Sequence, residues 1–260
     1  MPDHPVLWSI DARGAARVTL NRPEVNNAYD LELVEGLHDA MDALRGRPDL
    51  RVVVIAGNGK HFQTGADLEW LSDLRTASLQ ENERASRETA AAIDRLNRLP
   101  VPTIALVHGY CVGGGTGLIA ACDIVIAADD AKFAIPEVRW GLTAAIIIPQ
   151  LNDAIGVRQV RRYALTGERI DAPEARRIGL VHEVVPAAEL EATGELMVTA
   201  LLGNGPQAMA ESKAIALDHA FGTIGGAMAQ LIESHAAKRR SAEAAEGLAS
   251  YADKRPARWR

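Results

Sequence analysis

Cysteine is nearly absent from this 260-residue chain, which holds only Cys111 and Cys122. Two thiols in apolar surroundings cannot build a disulfide framework or a zinc site, so a reducing compartment is expected. The seven histidines are scattered without metal-ligand spacing, so no metal site is expected. Basic residues are not in excess either. The 28 Lys and Arg stand against 34 Asp and Glu, a net charge of -6, which leaves no overall electrostatic footprint for nucleic acid. No run approaches the roughly 20 apolar residues that cross a bilayer, because "GLIAACDIVIAA" is interrupted by Asp123. The N-terminal "MPDHPVLWSIDARG" carries prolines and acids where a secretory signal needs a basic start and an apolar centre. No membrane partner is expected, and the location expected is cytoplasmic. There is no repeat of fixed period and no low-complexity linker.

What is present is an ordinary globular composition, 48% hydrophobic and 24% charged. "VLWSI" and "ARVTL" read as a hairpin turning between Asp11 and Gly14. A helix follows with Asp30 as cap and Leu31, Val34, Met41 and Leu44 on one face. "RVVVIAG" is a buried strand, and residues 81–99 are a charged, alanine-rich helix that Pro100 and Pro102 terminate. "TIALVHG" and "DIVIAA" are further strands, and "VHEVV" another, with helices over "RQVRRYAL", "DAPEARRIG" and most of 187–250. Strands alternating with helices argue for an α/β core with much parallel pairing. The division expected is a core over residues 1–200 and a helical C-terminal region over 201–260.

Two loops concentrate the chemistry. In "TGADLEWLSDL", Asp67 caps a helix with Leu68, Leu71 and Leu74 on its apolar face, so Gly65 and Ala66 lie just before a helix start. In "HGYCVGGGTGLIAACD" three consecutive glycines occupy the same kind of position. Each follows a buried strand and presents free backbone N–H groups, and two such ends facing one point would hold an oxyanion. Taken singly, either loop is a weak signal, and the isolated glycine run is better explained by close packing of a helix on a strand. A dinucleotide fingerprint is excluded by the missing G-x-G-x-x-G spacing, and a P-loop by the missing Gly-Lys-Ser/Thr.

Taken together, "LNRPEVNNA", "HFQTGADLE", "VHGYCVGGGTGLIAACDIVIA", "AKFAIPEVRWGL" and "LTGERIDAPEARRIGLVHEVV" resemble the enoyl-CoA hydratase/isomerase (crotonase) superfamily, in the family's order and over most of the chain. The resemblance implies a crotonase-like spiral of ββα units, a C-terminal helical region that assembles trimers or hexamers, and an acyl-CoA substrate with no further cofactor. It places the oxyanion-hole amides at Ala66 and Gly114, with Gly113, Asp67 and Leu68 beside them on the substrate side. It sets Val25 near the adenine, with Glu24 where many members carry a base. Tyr251 and Lys254 match positions at which a neighbouring subunit touches the ligand, and a solvated basic tail explains that segment equally well.

The departure concerns acids. Members typically carry two glutamates, and the position of the first is Gly117 here, whereas the second is present as Glu137. Glu137 is therefore the expected proton carrier, its pKa raised by apolar surroundings. A single carboxylate serves a hydratase, by syn addition of water to a 2-enoyl-CoA, or an isomerase that moves a proton between C2 and C4. A catalytically silent acyl-CoA binder is the third possibility. The surrounding segments are similar to the branch acting on methylglutaconyl-CoA and geranoyl-type carboxylated enoyl-CoAs, which favours the hydratase. Trp140 and Ile146 to Ile148 are expected as apolar pocket wall.

Overall fold

The computed structural model of the chain describes residues 4–219 and 242–258. Strands β1 (Val6–Ile10) and β2 (Ala15–Leu20) pair antiparallel from Val6 with Leu20 to Ile10 with Ala16, as the hairpin pattern requires. The Asp11 carboxylate closes the turn by accepting from the amides of Arg13 and Ala15. The sheet continues in parallel through β3 (Val52–Gly57), β4 (Thr103–Val107), β6 (Ile124–Ala128) and β9 (Glu183–Val185), in the order β1-β2-β3-β4-β6-β9.

Its central strands read as unbroken apolar runs because both faces are covered. Alternation sends Val53, Ile55, Ala105 and Val107 to one side, against α1 (Leu31–Arg45), α3 (Leu79–Asn97) and α4 (Gly114–Ala120). Val52, Val54, Ile104 and Leu106 point to the other, where Leu190 and Val198 of α7 (Leu190–Leu202) close a second apolar layer. A smaller sheet holds β5 (Tyr110–Val112) parallel to β7 (Lys132–Ala134), with β8 (Ile170–Asp171) antiparallel to β7.

Helix α1 is capped by Asp30, whose carboxylate accepts from the Leu33 amide at 2.8 Å. Its buried stripe is Leu33, Val34, Leu37, Ala40, Met41 and Leu44. Leu31, expected on that face, is 43% exposed: it precedes Leu33 by two residues and so lies about 200° round the helix. Helix α3 starts at Leu79 rather than 81, because Ser78 and Glu81 form a reciprocal capping box. In α2 (Leu68–Thr76) no residue is buried, and Leu68 is 65% exposed, so the expected apolar face does not enter the core.

Helix α5 (Ile148–Thr166) kinks at Gly156, and α6 (Ala172–Ile178) starts at the Asp171 cap and ends at left-handed Gly179. Residue 200, expected as the edge of the core, lies inside α7. Helix α8 (Pro206–His219) follows, and Lys213 ties it to the core through the Asp123 carboxylate at 2.8 Å and the Val101 carbonyl at 3.2 Å. A last helix, Ala242–Ala252, brings the Glu243 carboxylate to the amides of Gln207 and Ala208, both at 2.8 Å, at the start of α8. No helix among the described residues is long and apolar enough to cross a membrane.

Candidate active site

The two glycine loops lie side by side because the chain after β3 runs along β5. The Phe62 amide donates to the His108 carbonyl, the Gln63 amide to Tyr110, and the Val112 amide back to Gln63. Strand β5 then leads directly into Gly113, so the Gly65 turn and the Gly113 turn share one edge. The Tyr29 amide donates to the Gly65 carbonyl at 2.8 Å and the Tyr29 carbonyl accepts from Asp67 at 2.7 Å. These two bonds bracket Ala66, whose own N–H has no acceptor among the described residues. The Gly114 N–H, first in α4, has none either, as the opening amides of a helix generally do not.

Glycine at 113 is demanded twice over. Its φ of 56° and ψ of -123° suit glycine alone. A side chain there would place Cβ 3.0 Å from Oε1 of Glu137 and 3.5 Å from Cα of Gly65. That one point measures the site, for it lies within van der Waals reach of the carboxylate and of both amide-bearing turns. Gly113→Ala should therefore lower kcat at least about tenfold, since a misplacement on the order of 1 Å costs up to about 10²-fold in rate. Steady-state kinetics beside a thermal melt would separate this from unfolding. Unchanged turnover would mean that the Gly113 turn does not border the reacting atoms.

Glu137 opens a single 3-10 turn, Glu137–Trp140, after β7, and its own carbonyl accepts from the Leu142 amide at 3.0 Å. Its Oε2 is buried with no hydrogen-bond partner among the described residues. Burial raises its pKa above the ordinary glutamate value, against a smaller lowering by its own backbone amide. An unsatisfied buried carboxylate oxygen costs stability and survives where function requires it.

Within α4, the position expected to lack an acid is physically closed. A Cβ at Gly117 would stand 2.2 Å from Cγ2 and 2.5 Å from Cβ of Ile147, which is itself 1% exposed. The expected wall over Ile146 to Ile148 thus has one member, Ile147, fully inside.

The structure gathers Ala66, Gly113, Gly114 and Glu137. It spreads the remaining expected residues. The Asp67 carboxylate caps α2 by accepting from the Glu69 amide at 2.9 Å and lies 3.8 Å from Arg22. Leu68 and Trp140 are each 65% exposed, Val25 is half-buried in a short turn, and Lys254 is exposed. The side chain of Tyr251 lies outside the described residues. Among the described residues no cluster of histidine, cysteine or acidic groups is arranged to hold a metal.

A family model described as enoyl-CoA hydratase/isomerase matches residues 11–260. The chain belongs to that family. The crotonase-family enzyme shares 31% identity over 253 residues with a putative enoyl-CoA hydratase of Thermus thermophilus, covering 97% of this chain and all of the relative. It shares 34% over 209 residues with a peroxisomal Δ(3,5)-Δ(2,4)-dienoyl-CoA isomerase of Arabidopsis thaliana, covering 76% and 75%. A crystallised enoyl-CoA hydratase of Shewanella pealeana superposes with a TM-score of 0.94 at 33% identity, covering 98% and 96%. The crotonase fold and an acyl-CoA-directed enzyme follow from membership, and the silent-binder alternative falls away. The relatives are named for different reactions, so membership leaves the choice between them to the site.

Three residues of this hydratase/isomerase site escaped the sequence reading. Tyr29 packs its ring where a Gly114 Cβ would sit, 2.7 Å from Cε2. Arg22 pairs with Asp30 at 2.7 Å and reaches Asp67, so it joins the caps of α1 and α2 on either side of the Ala66 turn. Gln63 is fully buried. None carries a local signal, apart from the oddity of a glutamine beside Phe62 before a glycine turn.

Proposed function

We propose that the protein is a 2-enoyl-CoA hydratase in which the amides of Ala66 and Gly114 hold the thioester oxygen and Glu137 alone moves the proton. The observation that supports this most strongly is the buried Oε2 of Glu137, without a hydrogen-bond partner, on a carboxylate that lies against Gly113 beside two amides with no acceptor among the described residues. As water adds to C3, Glu137 takes its proton while electrons move through the double bond onto the thioester oxygen. The two amides stabilise that enolate, and Glu137 then returns the proton to C2, completing a syn addition with atoms and charge balanced. Activation comes from the thioester itself, so the chain need supply only these donors and one base. Val25 is proposed beside the adenine and Leu68 and Trp140 along the acyl chain. Tyr251 and Lys254 are proposed at a neighbouring subunit's ligand, with self-association through the C-terminal helices.

A second reading is supported by Gly117 and the buried Ile147 side chain packed on it, which leave no acid at the second expected position to anchor a water. In that case the same carboxylate carries a proton between C2 and C4, and the enzyme is an isomerase. The two readings part in one assay. Hydration is expected as loss of the conjugated-thioester absorbance of a 2-enoyl-CoA. Gain of conjugation from a 3-enoyl-CoA, with no water added to any 2-enoyl-CoA of a chain-length series, would establish the isomerase instead.

A further inference from the structure

Gln63 is wholly buried, an expensive place for a primary amide unless every polar atom has work. Both ends of its amide are spent on one residue. Nε2 donates to the Gly65 carbonyl at 2.8 Å, and Oε1 accepts from the Gly65 N–H at 2.9 Å. The same Gly65 carbonyl also accepts from the Tyr29 amide at 2.8 Å.

That carbonyl belongs to the peptide unit whose N–H is the Ala66 amide. Because the unit is planar, fixing the direction of the C=O fixes the direction of the N–H. Two donors on the oxygen also polarise the peptide and strengthen its N–H as a donor. The other face of Gln63 meets the second loop, since a Cβ on Gly115 would come within 2.5 Å of Oε1 and 3.1 Å of the Gln63 Cβ. One side chain therefore holds the Ala66 peptide in direction and abuts the turn that carries Gly114.

We infer that Gln63 is a positioning residue that aims and polarises the Ala66 amide toward the thioester oxygen. This rests on the oxyanion-hole reading above. Gln63→Met keeps the length and loses both hydrogen bonds. Its kcat should fall about tenfold or more, as expected for a displaced donor, while KM for the CoA ester changes less than about twofold.

A structural role alone would not move the electronic spectrum of a bound substrate. The decisive measurement is therefore the absorption maximum of 2,4-hexadienoyl-CoA bound to Glu137→Gln enzyme, with and without Gln63→Met. Donors on the carbonyl oxygen draw charge along the conjugated chain and shift its absorption to the red, so the shift should shrink when Gln63 is lost. If Gln63→Met does not fold, Gln63→Leu serves in its place, for it adds no volume and has neither an acceptor for the Gly65 N–H nor a donor for the carbonyl. A full red shift and full kcat in the folded variant would overturn the role of Gln63. No red shift even with Gln63 intact would overturn the oxyanion hole itself, so the two failures are distinguishable.

Discussion

Glu137→Gln is expected to lower turnover by roughly 10²- to 10⁴-fold, the span that general acid–base catalysis by one positioned group contributes, while binding of the CoA ester survives. The substitution is isosteric, and no hydrogen bond to Oε2 is lost because none exists among the described residues. Stability should move the other way. Burial raises the Glu137 pKa, so the folded state holds that proton more tightly than the unfolded chain does. Its stabilising contribution is complete below the unfolded glutamate value, about 4.3, and is lost as pH rises through the higher folded value. At neutral pH ionised Glu137 is a net cost, and Gln removes it, so the variant should melt no lower than wild type. The same shift sets the pH profile: kcat/KM of wild type should rise with pH as the free carboxylate ionises, and the acid limb should vanish in the variant. A variant that keeps wild-type turnover would end the case for Glu137 as proton carrier.

Restoring an acid at position 117 should fail. Inside a helix, replacing glycine ordinarily gains up to about 1 kcal/mol. At Gly117 the new Cβ would collide with the branch of Ile147, a fully enclosed side chain with no solvent to swing into. Overpacking of this kind costs about 1–3 kcal/mol, and burying an unpaired carboxylate adds to it. Clash and desolvation outweigh propensity, so Gly117→Glu should lose about 3 kcal/mol, which for a protein of this size is a drop of about 6–12 °C in Tm. The clash is local, so Ile147→Ala in the same chain should recover a large part of it. Calorimetry on the two variants decides the matter. An unperturbed melt for Gly117→Glu alone would show that Ile147 does not close this space.

Part of the site was legible in the chain because it is written in backbone requirements. Gly113 and Gly65 are needed where φ is positive, and Asp67 and Asp30 cap helices. Such features depend on near neighbours and so survive reading along one dimension. Leu31 and α2 were misplaced for the same reason: helical spacing reports which residues share a face, and only the packing of neighbours decides whether that face is covered.

By itself the sequence determined the order of the main strands and helices and the two glycine turns that open helices, since each follows from local φ/ψ, capping or apolar periodicity, whereas Glu137 and the acid missing at Gly117 were expected only from the likeness to the family. Tertiary structure alone decided that these turns lie together. The pairing of residues 62–63 with β5, 45 or more positions later, is a long-range contact that no local propensity encodes. It decided equally that Gln63 folds back on Gly65 and that Ile147 fills the space beside Gly117, because which side chain occupies a buried volume depends on every element that encloses it.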